Sequence, residues 1–167
     1  MIRSFFSSIV ILLCFILLES AILSNITILP AIPDFALMVV LYFSLRNGKT
    51  AGESLGFVSG FIIDFLSFAP LGLNSLVRTI VGYMGGWGNS ALNVGGFFLP
   101  FFIGGISTIV KAILFFAIAF FFPQLVLTYK ILSFEFFSEV LLNAFLCPFV
   151  FKFLGLFDKI LVIEKRV

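Results

Sequence analysis

The sequence is poor in the residues on which soluble enzymes depend. Of its 167 residues 11% are charged, two are cysteine, and none is histidine. Without histidine, the chain lacks the usual general base at neutral pH and the commonest metal ligand. Cys14 and Cys147 lie far apart in separate apolar runs, which argues against a disulfide framework or a cysteine-based zinc site. We therefore expect no metal and no cofactor.

Hydrophobic residues dominate what remains. They make up 62% of the chain and give a mean hydropathy of +1.27, whereas a soluble domain is about 45–50% apolar. A domain of this size has too little interior to hide so much apolar surface from water. The composition thus predicts an all-α integral membrane protein with a single polytopic domain over residues 1–167. The net charge is only +2, and the basic residues are spread along the chain, so the sequence does not favour nucleic-acid binding.

Apolar runs and their interruptions predict six transmembrane helices. A transmembrane helix needs about 20 residues, and the runs are separated by proline, glycine and polar residues, as in Pro70-Leu71-Gly72. The first run follows Arg3 as in a signal peptide, but it is too long and lacks a clear cleavage site, so we expect an uncleaved helix. The predicted spans are 5–23, 32–46, 51–68, 74–90, 97–122 and 133–157.

The distribution of basic residues predicts the orientation. Lysine and arginine in short loops mark the cytoplasmic side of a membrane. With six spans, the side opposite the termini receives only Lys130. We therefore expect a multi-pass protein of the bacterial inner membrane with both termini in the cytoplasm. The basic residues on the cytoplasmic side are then Arg3, Arg46, Lys49, Lys152, Lys159, Lys165 and Arg166.

Five ionisable residues fall inside the predicted spans. Such groups are costly in lipid and need partners, so they are candidates for ion pairs. Asp64 and Arg78 flank the turn between the third and fourth spans, which predicts that they pair with each other. Lys111 is expected to neutralise Glu19 or Glu139, or else to line a polar cavity. The five candidates are Glu19, Asp64, Arg78, Lys111 and Glu139.

Glycines recur every four residues on the third and fourth spans. Small residues at this spacing allow two helix backbones to approach closely in a membrane. Taking Asp64 opposite Arg78 as the fixed point, an antiparallel hairpin places Gly60 opposite Gly82 and Gly56 opposite Gly86. The glycine ridge of the third span consists of Gly48, Gly52, Gly56 and Gly60, and the fourth span contributes Gly82 and Gly86.

Short motifs follow one another in a distinctive order from residue 33 to 86. Pro33-Asp34 opens the second span, Arg46-Asn47-Gly48 follows it, and Gly82-Tyr83 closes the stretch. This stretch resembles the rod shape-determining MreD family. The similarity covers about a third of the chain and depends on the order and spacing of these motifs. The positions that match the family pattern are Pro33, Asp34, Gly52, Gly56, Gly60, Asp64 and Gly72.

This resemblance implies a function and a fold. It implies a non-enzymatic scaffold that controls cell shape and lateral peptidoglycan synthesis by binding MreC. Through MreC it implies links to RodA, a class B penicillin-binding protein and MreB filaments. The fold it implies resembles the S component of energy-coupling-factor transporters.

Two questions stay open at the level of the sequence. The glycine ridge is expected either to pack inside the hairpin or to contact the transmembrane helix of MreC. The alternative function is a small-molecule-binding transporter subunit of the S-component type, although the first span lacks the Ala-x-x-x-Ala pattern by which such subunits dock and has only Ala21. An intramembrane enzyme is disfavoured because no nucleophile–base set stands out.

Overall fold

The computed structural model describes residues 2–21, 31–67, 70–89, 96–122 and 133–163. Within these ranges the chain is helical and contains no strand. A 3-10 turn at Gly86–Gly88 follows the fourth helix. The helices are α1 (Ile2–Ala21), α2 (Phe35–Asn47), α3 (Lys49–Leu66), α4 (Leu73–Gly85), α5 (Phe98–Phe121), α6 (Phe134–Gly155) and the short α7 (Asp158–Leu161).

Each predicted span overlaps one of α1 to α6, and the ends differ by a few residues. The predicted ends at residues 22–23, 68 and 90 lie outside the described residues. α2 begins at Phe35 rather than at residue 32, because the Asp34 carboxylate accepts the N–H of Leu37 at 2.9 Å and caps the helix. α6 ends at Gly155, and the chain turns into α7.

Three helices in the described ranges are long and apolar enough to cross a membrane. They are α1, α5 and α6, judged by length and composition. α2 is apolar but has 13 residues, and α3 carries Lys49, Glu53 and Asp64. Large phenylalanine, leucine and isoleucine side chains lie exposed along the outer faces of these helices. This surface is suited to lipid and identifies a membrane protein.

α2 is the central helix of the bundle. All ten residues from Ala36 to Leu45 are buried, and the helix contacts α1, α3, α4 and α6. A helix that is apolar on every side must be covered on every side or face lipid. Here neighbouring helices cover it, so α2 forms the core around which the other helices pack.

α3 and α4 form the most closely packed helix pair. An added Cβ at Gly52 would overlap the carbonyl oxygen of Gly82, and one at Gly56 would overlap that of Arg78. A Cβ at Gly60 would overlap the backbone of Ser75 in the same way. The backbones therefore touch along the glycine ridge. The ridge is buried between α3 and α4 and is not available to a partner.

The predicted register of this hairpin is wrong. Gly56 lies opposite Arg78 rather than opposite Gly86, and Gly60 lies opposite Asn74 and Ser75 rather than opposite Gly82. Gly86 instead packs on Gly48 and Lys49 at the start of α3. The contact point on α4 is thus displaced by eight residues, about two helical turns. The short α3–α4 connection and the contacts of Asp64 described below set this register.

Side chains at the end of α2 fasten the C-terminal segment. Arg46 donates to Asp158 at 2.7 Å, and the hydroxyl of Tyr42 donates to the same carboxylate. Asn47 accepts the N–H of Ile163 at 2.6 Å. Near the other end of the described chain, the Ser4 hydroxyl lies 3.5 Å from the carbonyl oxygen of Val162. The first and last described segments therefore meet at one end of the bundle.

Candidate functional site

Asp34 lies at the centre of a buried charge cluster that joins four helices. Its side chain is 5% exposed, and both of its oxygens lie 2.9 Å from Nη2 of Arg78 on α4. Nζ of Lys111 on α5 approaches the same carboxylate at 2.9 Å. Lys111 also contacts Glu139 of α6 at 2.5 Å. We call these four residues the charge cluster. In the order of their contacts, Arg78, Asp34, Lys111 and Glu139, positive and negative groups alternate, as buried charges require.

Neutral side chains complete the hydrogen bonding around the charge cluster. The Asp34 N–H donates to Oδ1 of Asn143 at 2.8 Å, and Nδ2 of Asn143 donates to Thr108 at 2.9 Å. The Thr108 hydroxyl donates to the carbonyl of Gly104 at 2.8 Å, where α5 and α6 approach closely. Buried polar groups without such partners are destabilising. The backbone at the start of α2 is therefore tied to both α5 and α6.

The predicted Asp64–Arg78 ion pair is wrong, because each residue has other partners. Asp64 caps the start of α4 by accepting the N–H groups of Gly72, Asn74 and Ser75 at 3.0–3.1 Å. The side chains of Asn74 and Ser75 donate to it at 2.9 Å. These five donors satisfy the carboxylate without a cation. Gly72, at φ +95°, provides the left-handed turn that aims its own N–H at Asp64.

Glu19 approaches the charge cluster from α1. The charges that act on it most are those of Asp34, Arg78 and Lys111. Lys111, however, forms ion pairs with Asp34 and Glu139. Of Glu19 and Glu139, the two partners predicted for Lys111, it is therefore Glu139 that forms a salt bridge with it. Oε2 of Glu19 is buried and has no hydrogen-bond partner. All six long helices thus contribute a polar group at or beside the cluster, since Ser59 of α3 lies 3.5 Å from Arg78.

Several members of this site could not be recognised as such in the sequence. Asp34 appears there as part of a family motif at a helix start, and not as an intramembrane charge. Asn143 and Thr108 are single polar residues in apolar runs, a pattern that indicates a side chain facing other helices but does not name its partner. The remaining predicted motif residue, Pro33, is buried beside Asp34.

The chemistry of the charge cluster is that of a structural tie. Its carboxylates are paired with arginine and lysine, and no nucleophile stands beside a base among the residues just described. Nor does the part of the chain that the structure describes contain a group of three or more histidine, cysteine, aspartate or glutamate side chains able to hold a metal ion. The arrangement fixes the relative positions of α2, α4, α5 and α6.

Fold and site together define a helical membrane protein whose few polar residues hold its helices to one another. Residues 1–157 match the family described as rod shape-determining protein MreD, and because the match spans nearly the whole chain, the chain belongs to this family. No curated protein and no solved structure matches the sequence. Membership gives the protein a role in rod shape determination, in association with the cell-shape machinery. The family is a shape-determining one and not a known enzyme family.

Proposed function

We propose that this protein is a non-enzymatic membrane scaffold of the cell-elongation complex, which it holds together by binding MreC. The family match over residues 1–157 carries this proposal. A bundle with an apolar surface and paired charges in its interior is suited to binding other membrane helices rather than to chemistry. Through MreC the scaffold connects to RodA, a class B penicillin-binding protein and MreB, and so supports lateral peptidoglycan synthesis.

The proposed topology has six spans in the inner membrane and both termini in the cytoplasm, with an S-component-like fold. The contacts support this arrangement. α2 and α6 run parallel, because Asp34 at the start of α2 meets Asn143 near the middle of α6, and Arg46 near the end of α2 meets Asp158 just beyond the end of α6. α1 begins where α7 lies, since Ser4 approaches Val162. An even number of spans brings the two termini to one side, as the basic residues favour.

The surface proposed for the MreC helix is a groove between α1 and α6. The glycine ridge is consumed in the α3–α4 hairpin, which leaves partner binding to the outer faces. Of the three long apolar helices, α1 is the least covered, at 17% buried. The groove beside it has a volume of about 430 Å³ and faces outward. Its lining is apolar and consists of Cys14, Phe15, Leu18, Phe35, Leu146, Phe149, Val150 and Phe153.

Depletion of the protein tests the scaffold function. Rod-shaped cells that lose it are expected to round up, and MreC is expected to co-purify with the protein from solubilised membranes. Normal rod shape after depletion contradicts the proposal, and so does the absence of MreC from the purified complex.

The native cysteines provide a test of the groove. Cys14 is exposed within it, whereas Cys147 is buried. Single cysteines placed along the transmembrane helix of MreC are expected to form disulfides with Cys14 at every third or fourth position. Cys14→Ser is expected to abolish the crosslinks, because Cys147 is out of reach. Co-purification of MreC without any crosslink to Cys14 rules out this groove as the contact.

A further inference from the structure

A crevice beside the charge cluster has no assigned occupant. It lies between the end of α1, the residues before α2, and the hairpin of α3 and α4, and its volume is about 240 Å³. A cavity needs about 10–15 Å³ of such volume to hold one water molecule, so this space accommodates a ligand group. Glu19, Ser67 and Arg78 line its polar part, and Ile16, Ile63 and Leu66 its apolar part.

Two buried atoms on residues that line the crevice lack hydrogen-bond partners. They are Oε2 of Glu19, an acceptor, and Nε of Arg78, a donor. Arg78 is 5% exposed and uses its terminal nitrogens on Asp34 and Ser59. Because one atom accepts and the other donates, a single group that satisfies both must offer a donor and an acceptor.

The charges of the surrounding residues determine which kind of group fits. Asp34, Glu139 and Glu19 are carboxylates, whereas Arg78 and Lys111 are the cations among these five residues. Asp34 and Glu139 are paired with the two cations, so Glu19, when ionised, adds one uncompensated negative charge to these five residues. A carboxylate that has no donor beside it is costly next to lipid. The occupant should therefore present a positive N–H donor to Glu19 and an acceptor oxygen to Nε of Arg78. A zwitterion meets both contacts and leaves the sum of the charges unchanged.

We propose that the crevice binds the head group of an amine-bearing zwitterionic phospholipid, such as phosphatidylethanolamine. The ammonium group donates to Glu19, and a phosphate oxygen accepts from Nε of Arg78. The acyl chains follow the apolar rim, where Ile32 is 43% and Leu66 is 55% exposed. A lipid is the occupant because the rim faces the bilayer, where this lipid is a neighbour. With the topology proposed above, the lipid belongs to the outer leaflet.

A comparison of lipids tests the site without any mutation. The purified protein is placed in detergent with phosphatidylethanolamine or with phosphatidylcholine of identical acyl chains, and bound lipid is counted by native mass spectrometry. The two head groups share charge and phosphate, but only the first has N–H donors. We expect retention to be at least about tenfold greater for phosphatidylethanolamine, the order of one charged hydrogen bond. Equal retention overturns the proposal.

A matched pair of variants locates the effect. Glu19→Gln keeps the shape of the side chain but removes its charge, and we expect it to abolish the preference for phosphatidylethanolamine. Glu53→Gln, on α3 four residues after Lys49 and outside the crevice lining, is expected to leave the preference intact. A Glu19→Gln protein that melts normally and retains the preference contradicts the site. Free phosphoethanolamine, which lacks acyl chains, is expected to compete poorly, and strong competition shows that no lipid is required.

This site is independent of the contact with MreC. Failure of lipid selectivity with intact MreC co-purification rejects the lipid site alone. Loss of MreC co-purification in the wild type, with selectivity preserved, rejects the proposed scaffold function and leaves the lipid site standing.

Discussion

Two cations share the Asp34 carboxylate, which sets it apart from the other carboxylates of the described residues. It neutralises Arg78 and Lys111 while it also caps α2 through the N–H of Leu37. Asp64, by contrast, accepts only uncharged donors at the start of α4. Two acidic residues of the same family motif thus have different tasks. One balances charge inside the bundle, and the other closes a turn.

Replacing Asp34 by Asn should be strongly destabilising. The amide leaves Arg78 and Lys111 with Glu139 as the only carboxylate of the charge cluster, and loss of one partner from a buried ion pair costs about 3–5 kcal/mol. Chemical unfolding in detergent measures this loss. Asp158→Asn is the control, because its pair with Arg46 is about one-third exposed and is worth at most about 1 kcal/mol. Equal losses in the two variants contradict the central role of Asp34.

Asp64→Asn tests the capping role separately. The amide can accept fewer bonds than the carboxylate and presents its own N–H groups to the donors of Gly72, Asn74 and Ser75. We expect a loss of about 0.5–2 kcal/mol in the free energy of unfolding, the usual value of a helix cap. Arg78 should retain its contact with Asp34. A loss as large as that of Asp34→Asn would mean that Asp64 also compensates a buried cation.

Among the helices, α3 and α4 show which features the sequence determines and which it leaves open. Apolar runs and the glycine spacing predict both helices and their close packing. They do not determine the register. Because the glycines recur every four residues, sliding one helix along the other by about one turn again places glycine opposite glycine. The choice comes from Asp64, which draws the N–H groups of residues 72, 74 and 75 onto itself. A sequence pattern cannot distinguish that cap from an ion pair at similar depth.

The ion pairs of Asp34 could not be predicted from the sequence for a related reason. Lys111 and Glu139 stand out in the sequence as charges within apolar runs, but Asp34 lies at a helix end, where an acidic residue ordinarily caps and contacts water. Its burial follows from the way α4, α5 and α6 surround the start of α2. That arrangement is a property of the assembled bundle, so the centre of the charge cluster could not be predicted from the positions of the charges alone.

Cysteine crosslinking distinguishes the two registers. Lys49 lies 5.3 Å above the ring of Trp87, and both side chains are exposed. In a Cys14→Ser background, cysteines at positions 49 and 87 should therefore be joined by a short bifunctional maleimide. A cysteine pair at positions 54 and 87, which the predicted register brings to the same level, should react less. The opposite order of yields contradicts the observed hairpin.

A size series at the ridge tests how closely the hairpin packs. Gly56→Ala places a methyl group against the carbonyl of Arg78, and Gly56→Leu adds more bulk at the same point. The helices must separate, which also displaces Arg78 from Asp34. We expect both variants to lower the melting temperature, the leucine variant more. Gly105→Ala is the control, because its Cβ meets that of Ala144 at an ordinary 3.5 Å. Unchanged stability of Gly56→Leu contradicts a closed hairpin.

On the scale of the whole molecule, the bundle has two chemically different ends. At one end Arg46, Asp158 and Asn47 hold α7 against α2, and the first helix begins nearby. At the other end lies the turn that Asp64 closes, next to the charge cluster and the crevice. In the described residues, Arg46, Lys49, Lys152 and Lys159 lie toward the first end, and the positive-inside rule predicts this end to be cytoplasmic. In that orientation the proposed lipid site faces the outer leaflet.

Labelling from the two sides of the membrane tests this orientation. Leu71, in the α3–α4 turn, is 69% exposed, and Lys159 lies on α7 at the opposite end. In a Cys14→Ser background, we expect a membrane-impermeant maleimide to modify Leu71→Cys in intact spheroplasts. It should modify Lys159→Cys only after the membrane is permeabilised. Labelling of both from outside would place them on one side and refute the six-span topology. The reverse pattern would keep the bundle but turn it over, moving the crevice to the inner leaflet.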